Sequence, residues 1–76
     1  MEKLKENEGK IIILLHEKNE PMTPKQISDE LGLSYSTIRN LVMIMVAKEL
    51  LIQKDYGTAK PVVVNDENIR KLQELP

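Results

Sequence analysis

The sequence predicts a small α+β domain: a core of three helices, a β-hairpin after the third, and a short C-terminal helix. Three observations predict it. Thr23 to Leu51 carries two short helical patterns that meet at Gly32. The stretches Leu50–Tyr56 and Pro61–Asn65 have strand length and flank the turn-forming Gly57-Thr58-Ala59-Lys60. Upstream, the apolar run Ile11–Leu15 supplies the further element that a two-helix unit needs to close a core.

Met1 to Glu8 is polar and charged, with only Leu4 apolar after the first methionine, and reads as a lead-in or an early helical turn. The run Ile11-Ile12-Ile13-Leu14-Leu15 fits a buried strand or a helix by periodicity, and its β-branched content favours strand locally. Its Lys/Glu-rich flanks and the need for a preceding helix decide for a helix over Gly9–Lys18. Ile11, Leu14 and Leu15 then face inward, while Ile12 and Ile13 lie to the side, partly exposed or against another chain. Asn19-Glu20-Pro21 ends this helix, because the residue before a proline is pushed out of the helical region. Met22-Thr23 is expected to form a single strand rung.

Thr23 is a good N-cap, and Pro24 suits the first helical position, where its missing N–H would have no intrahelical partner. Ile27 and Leu31, one turn apart, form the apolar stripe. Gly32 ends the helix because glycine accepts the left-handed conformation, and Leu33 turns back to the core. Ser34 caps the next helix, whose stripe is Ile38, Val42 and Met45 at i, i+4 and i+7. Two helices around a tight glycine-containing turn are the signature of a helix-turn-helix. The hairpin follows directly, and Pro61 is permitted at the start of its return strand, where no ladder donor is needed. Asn65 or Asp66 caps the last helix, with Glu67 in its first turn and Ile69, Leu72 and Leu75 as its stripe. The chain divides into a charged lead-in (1–9), one domain (10–65) and a C-terminal helix (66–76).

A chain of 76 residues without Phe or Trp builds its core from Ile, Leu, Val and Met, with Tyr35 and Tyr56 the only aromatics. At this size only about 60% of the extended surface is buried, so stability is marginal without a partner. Cysteine is absent, which excludes disulfide and thiol chemistry and fits a reducing, cytoplasmic setting. The apolar runs are far shorter than the ~20 residues a membrane helix needs, and no small-residue cleavage site follows the charged N-terminus. One histidine and no cysteine offer no metal cluster. His16 reads as a surface residue near the negative end of the first helix. With no glycine-rich phosphate loop and no paired carboxylates, neither an enzyme nor a cofactor is expected. The formal net charge of −1 argues mildly against strong non-specific nucleic-acid binding. Location matters more: from Pro21 to Val64, Lys25, Arg39, Lys48, Lys54 and Lys60 face Asp29, Glu30, Glu49 and Asp55, and the acidic excess lies at the ends.

The run from Thr23-Pro24-Lys25-Gln26-Ile27 through Leu31-Gly32-Leu33-Ser34 to Ser36-Thr37-Ile38-Arg39, followed by a hairpin, resembles the winged-helix family of helix-turn-helix DNA-binding domains. The resemblance spans roughly residues 10 to 65. It departs from the family at Glu49-Leu50-Leu51, where a glycine usually stands first on the way into the wing. It implies sequence-specific binding of double-stranded DNA by a small transcriptional regulator, with recognition helix 35–48 in the major groove and wing 52–64 on the backbone or minor groove. The second helix of such a motif sets its N-terminal residues against base edges, here Ser34, Tyr35, Ser36, Thr37, Arg39, Asn40 and Met43. Arg39 can grip guanine and Asn40 adenine bidentately. Ser34, Ser36 and Thr37 are short donors suited to phosphate oxygens near the helix's positive end. Lys25, Lys54 and Lys60, with Tyr56, stand where the backbone would pass.

Plainer readings stand beside these. Ser34 is an N-cap whatever the function, and Arg39 reads equally as a solvated residue paired with Glu49 or Asp55. Lys54 and Lys60 also discourage edge pairing of a hairpin. The run Leu41-Val42-Met43-Ile44-Met45-Val46 is apolar all round, which implies cover on more than one side. That cover is either the chain's own wing and first helix, over Ile44 and Val46, or an association partner. A homodimer is expected, through the first and last helices or through the Leu41–Val46 face. The alternative function is a winged-helix protein–protein interaction module of a replication or transcription assembly, binding through the same surface.

Overall fold

The computed structural model describes residues 5–74, with side chains to Arg70. The order is α1 (Glu6–Lys18), α2 (Pro24–Leu31), α3 (Tyr35–Ala47), β1 (Leu51–Gln53), β2 (Val62–Val64) and α4 (Asp66–Glu74). Helix α1 starts at Glu6, so the early-turn reading of the lead-in holds. The Lys5 N–H donates to Glu8 Oε1 at 3.0 Å, giving one orphan donor at the helix start a partner. Asn19, left-handed at φ 53°, terminates α1.

Helix α2 is capped reciprocally: the Gln26 N–H donates to Thr23 Oγ1 (3.2 Å) and the Thr23 N–H to Gln26 Oε1 (2.9 Å). Pro24 follows the cap, and Gly32 at φ 69° closes the helix with its N–H on the Ser28 carbonyl (2.9 Å). These local devices set the angle between α2 and α3. Ile27 and Ile38 meet at zero exposure in the resulting corner, with Val42 and Met45 behind them.

The hairpin is antiparallel, pairing Leu51 with Val64, Ile52 with Val63 and Gln53 with Val62. Both strands are shorter than the sequence suggests. Beyond Gln53 only the Lys54 N–H to Pro61 carbonyl bond (2.8 Å) and the Tyr56–Ala59 bridge continue the register, around the Gly57-Thr58 turn. The expected single rung is present: Met22 and Val62 exchange two backbone bonds, of 3.1 and 2.8 Å. Val62, fully buried, thus joins the hairpin to the segment between α1 and α2.

The core takes Ile11, Ile12, Leu14 and Leu15 from α1, along with Met22, Ile27, Ile38, Val42, Met45, Leu50, Leu51, Val62 and Ile69. Ile12 corrects the sequence reading. It is only 6% exposed, whereas Ile13 beside it is 60% exposed. Helix α2 and strand β2 both pack on α1, so its buried arc is wider than one stripe. Helix α4 contributes Ile69. The side chain of Leu72 and all of Leu75, the other expected stripe positions, lie outside the described residues.

The chain's path out of α3 has an unusual backbone. Glu49 takes φ 64°, a left-handed conformation that costs a non-glycine residue about 1–2 kcal/mol. It stands at the position where the family usually has a glycine. Two amide groups hold it: Asn65 Nδ2 (3.0 Å) and Asn68 Nδ2 (2.9 Å) both donate to the Glu49 carbonyl. The Asn65 N–H also donates to the Leu50 carbonyl at 2.9 Å. The α3–β1 corner and the β2–α4 corner are thereby tied together at the base of the hairpin.

Candidate nucleic-acid interface

Helix α3 turns about 100° per residue, which sorts its side chains into faces. Ile38, Val42 and Met45 are buried against the core. Opposite them, Ser36, Asn40, Met43 and Ala47 form an exposed stripe at i, i+4, i+7 and i+11. From between these faces to the edge of the outer one, Tyr35, Arg39 and Met43 follow one another at steps of four and border a groove of about 510 Å³. Its other walls are Thr23-Pro24-Lys25 at the start of α2, and Gln53 with Thr58-Ala59-Lys60 from the hairpin.

The charge of this groove is one-sided. Lys25, Arg39 and Lys60 line it, and no carboxylate does. Lys25 Nζ lies 3.2 Å from Asp29 Oδ1, an exposed i,i+4 pair of little strength that a phosphate can displace. Arg39, Lys54 and Lys60 make no ion pair among the described residues; the expected partnership of Arg39 with Glu49 or Asp55 does not form.

The residues singled out from the sequence fall into four groups. Lys25, Tyr35, Arg39, Met43 and Lys60 meet around the groove. Ser36 and Asn40 stand on the outermost face of α3, both exposed. Ser34 and Thr37 form the cap: Ser34 Oγ accepts from the Thr37 N–H (3.2 Å) and donates to Thr37 Oγ1 (2.7 Å). That bond uses the Ser34 hydroxyl proton and leaves Thr37 with its own to offer. Lys54 and Tyr56 are exposed on the hairpin and do not line the groove.

Two features escape the sequence. Thr58 and Ala59 reach the groove because the hairpin folds toward α3, which turn chemistry alone does not reveal. Glu8 is 2% exposed, with Lys48 Nζ at 3.6 Å from its Oε2, so the polar lead-in anchors the C-terminal end of α3. No spacing pattern in the charged N-terminus distinguishes that glutamate from its neighbours.

A model of the winged helix-turn-helix DNA-binding family matches residues 4–52, which run from α1 through α2 and α3 into β1. The chain belongs to this family. In this family's order of elements, α3 and the β1–β2 hairpin stand in the places of the recognition helix and the wing, and the cationic groove lies between them. The match ends inside β1; the return strand and α4 lie beyond it. Comparisons with curated proteins and with solved structures returned no match. Among the described residues no helix is long and apolar enough to cross a membrane, and no group of His, Asp and Glu side chains is placed to hold a metal ion.

Proposed function

We propose that this domain binds double-stranded DNA sequence-specifically as a small transcriptional regulator, with helix 35–48 in the major groove and wing 52–64 along the backbone or minor groove. One observation carries the reading: the concavity joining recognition helix and wing has three cations and no carboxylate in a chain whose net charge is −1. Arg39 and Asn40 read base edges, Arg39 bidentate on guanine and Asn40 on adenine. Ser36, Thr37, Lys25, Lys54 and Lys60 hold phosphates, which fixes the register of the protein on the duplex. Tyr35 and Met43 flank the arginine. The binding unit is 10–65, and the working form is a cytoplasmic homodimer.

The dimer reading rests on Ile13, 60% exposed in the middle of α1, and on the size of the chain. A two-fold dimer places two recognition helices about 34 Å apart on a palindromic site. Sedimentation of the free protein tests it; a monomer at high concentration, with single half-sites bound as tightly as paired ones, would remove it.

A second reading has its own observation. Met43 and Ile44, consecutive on α3, are 58% and 47% exposed, as a protein-binding module would have them. Electrophoretic shifts on pooled random duplexes, with Arg39→Ala and Met43→Asp side by side, separate the two. Loss of binding in Arg39→Ala supports DNA. A wild-type protein that shifts no duplex, with its cellular function kept in Arg39→Ala and lost in Met43→Asp, would mean that the ligand is a protein.

A further inference from the structure

The outer face of α3 changes character along its length. Its N-terminal half presents Ser36 and Asn40, and its C-terminal half presents Met43, Ile44 and Ala47. Neither half carries a charge, and Arg39 is the only charged side chain anywhere in α3. Intrahelical packing does not account for Met43, which is 58% exposed while Val42 and Met45 beside it are buried. The cations that would attract phosphates flank this stripe on the groove side, at Lys25, Arg39 and Lys60. An uncharged apolar side chain framed by cations suits the floor of a major groove, where one apolar group is displayed, the C5-methyl of thymine.

We infer that Met43 is a specificity-determining residue that reads a thymine methyl, on the base pair next to the one whose adenine Asn40 holds. The spacing supports adjacency. Three residues of helix rise about 4.5 Å, close to the 3.4 Å between stacked base pairs. Asn40 and Met43 lie on the same outward stripe, so both point into the groove when α3 enters it. The unbranched thioether is well suited to such a contact, because three rotatable bonds let it settle on a methyl whose position shifts with local DNA shape. The target half-site therefore contains two consecutive A·T pairs beside the guanine held by Arg39. This inference rests on the DNA-binding reading above and adds to it the chemistry of one base contact.

The test replaces thymine by deoxyuridine, which removes only the methyl and keeps base pairing. Duplexes enriched by the wild-type protein from a random pool are resynthesised with deoxyuridine in place of thymine. Wild type is expected to bind them about three- to fivefold more weakly, the loss corresponding to one buried methyl group. Met43→Ala is expected to bind the thymine duplex about as weakly as wild type binds the deoxyuridine one, and to discriminate less than twofold. Met43→Leu is expected to keep most of the discrimination. Because Met43 is exposed, thermal unfolding of all three proteins should coincide. Equal wild-type affinity for both duplexes overturns the inference and leaves DNA binding standing. So does full discrimination retained by Met43→Ala. Failure to enrich any duplex overturns both readings. Self-association that Met43→Ala abolishes in the absence of DNA makes the face an interface between copies, and also overturns the inference.

Discussion

The hairpin borders two concavities of similar size and opposite character. The one toward α3, about 510 Å³, is lined by Lys25, Arg39 and Lys60 without a carboxylate. The other, about 410 Å³, lies between the end of α1, Pro21, β2 and the start of α4. It is lined by Glu20 and Asp66 without a lysine or arginine, and His16 Nε2 spans it to Asp66 Oδ1 at 2.8 Å. The net charge of −1 averages these two and describes neither. The contrast teaches that a near-neutral chain can offer a cationic face when carboxylates line a different one, and that pI is a poor guide to whether such a face exists.

The sharpest way to break the contrast is to give the cationic groove a carboxylate. Arg39→Glu is expected to lower duplex affinity by at least about 100-fold, since it would remove the proposed bidentate base contact and add repulsion from phosphate. Gel shifts at low salt measure it, and CD spectra should show an unchanged fold because Arg39 is exposed. A smaller loss is expected of Asn65→Ala combined with Asn68→Ala. Removing both amides from the Glu49 carbonyl should destabilise the domain by about 1–3 kcal/mol in urea unfolding, each hydrogen bond contributing roughly 0.5–1.5 kcal/mol. The wing would then lose its fixed place between the two concavities. Lys60→Ala should weaken binding only several-fold, alike for all sequences, and reduce the salt slope by about 1. Glu49→Gly should raise stability by up to about 1 kcal/mol, relief of the left-handed strain being partly offset by glycine's greater chain entropy. At the foot of the scale, Glu20→Gln in the acidic concavity should leave duplex affinity within about twofold, because Glu20 lines the other concavity and not the cationic groove.

How legible these regions are differs in the same way. The α2–α3 unit can be read almost residue by residue, because every device in it is local: Thr23 and Gln26 cap each other, Pro24 follows, Gly32 turns, and Ser34 caps again. The buried stripe Ile38, Val42 and Met45 follows from helical period alone. The base of the hairpin is not legible to that degree. Glu49 departs from the local rule for a left-handed residue and is held from outside, by side chains 16 and 19 positions away. Helical period places Ile12 wrongly because it says which residues share a face, not how wide an arc the rest of the fold will cover. Glu8 escapes for a related reason: its burial depends on Lys48, at the far end of another helix. Among the candidate interface residues, the sequence supplies the cations and the exposed stripe of α3. Only the fold brings Lys25, Arg39 and Lys60 to one groove and leaves Lys54 outside it.

One measurement bears most directly on the claim that this groove is built for phosphates: the affinity of the wild-type protein for duplex DNA as a function of salt. If Lys25, Lys54 and Lys60 neutralise phosphates while Arg39 holds a base, log affinity should fall with log salt at a slope of about −3 per bound domain. An affinity that stays flat between low and moderate salt would contradict the account.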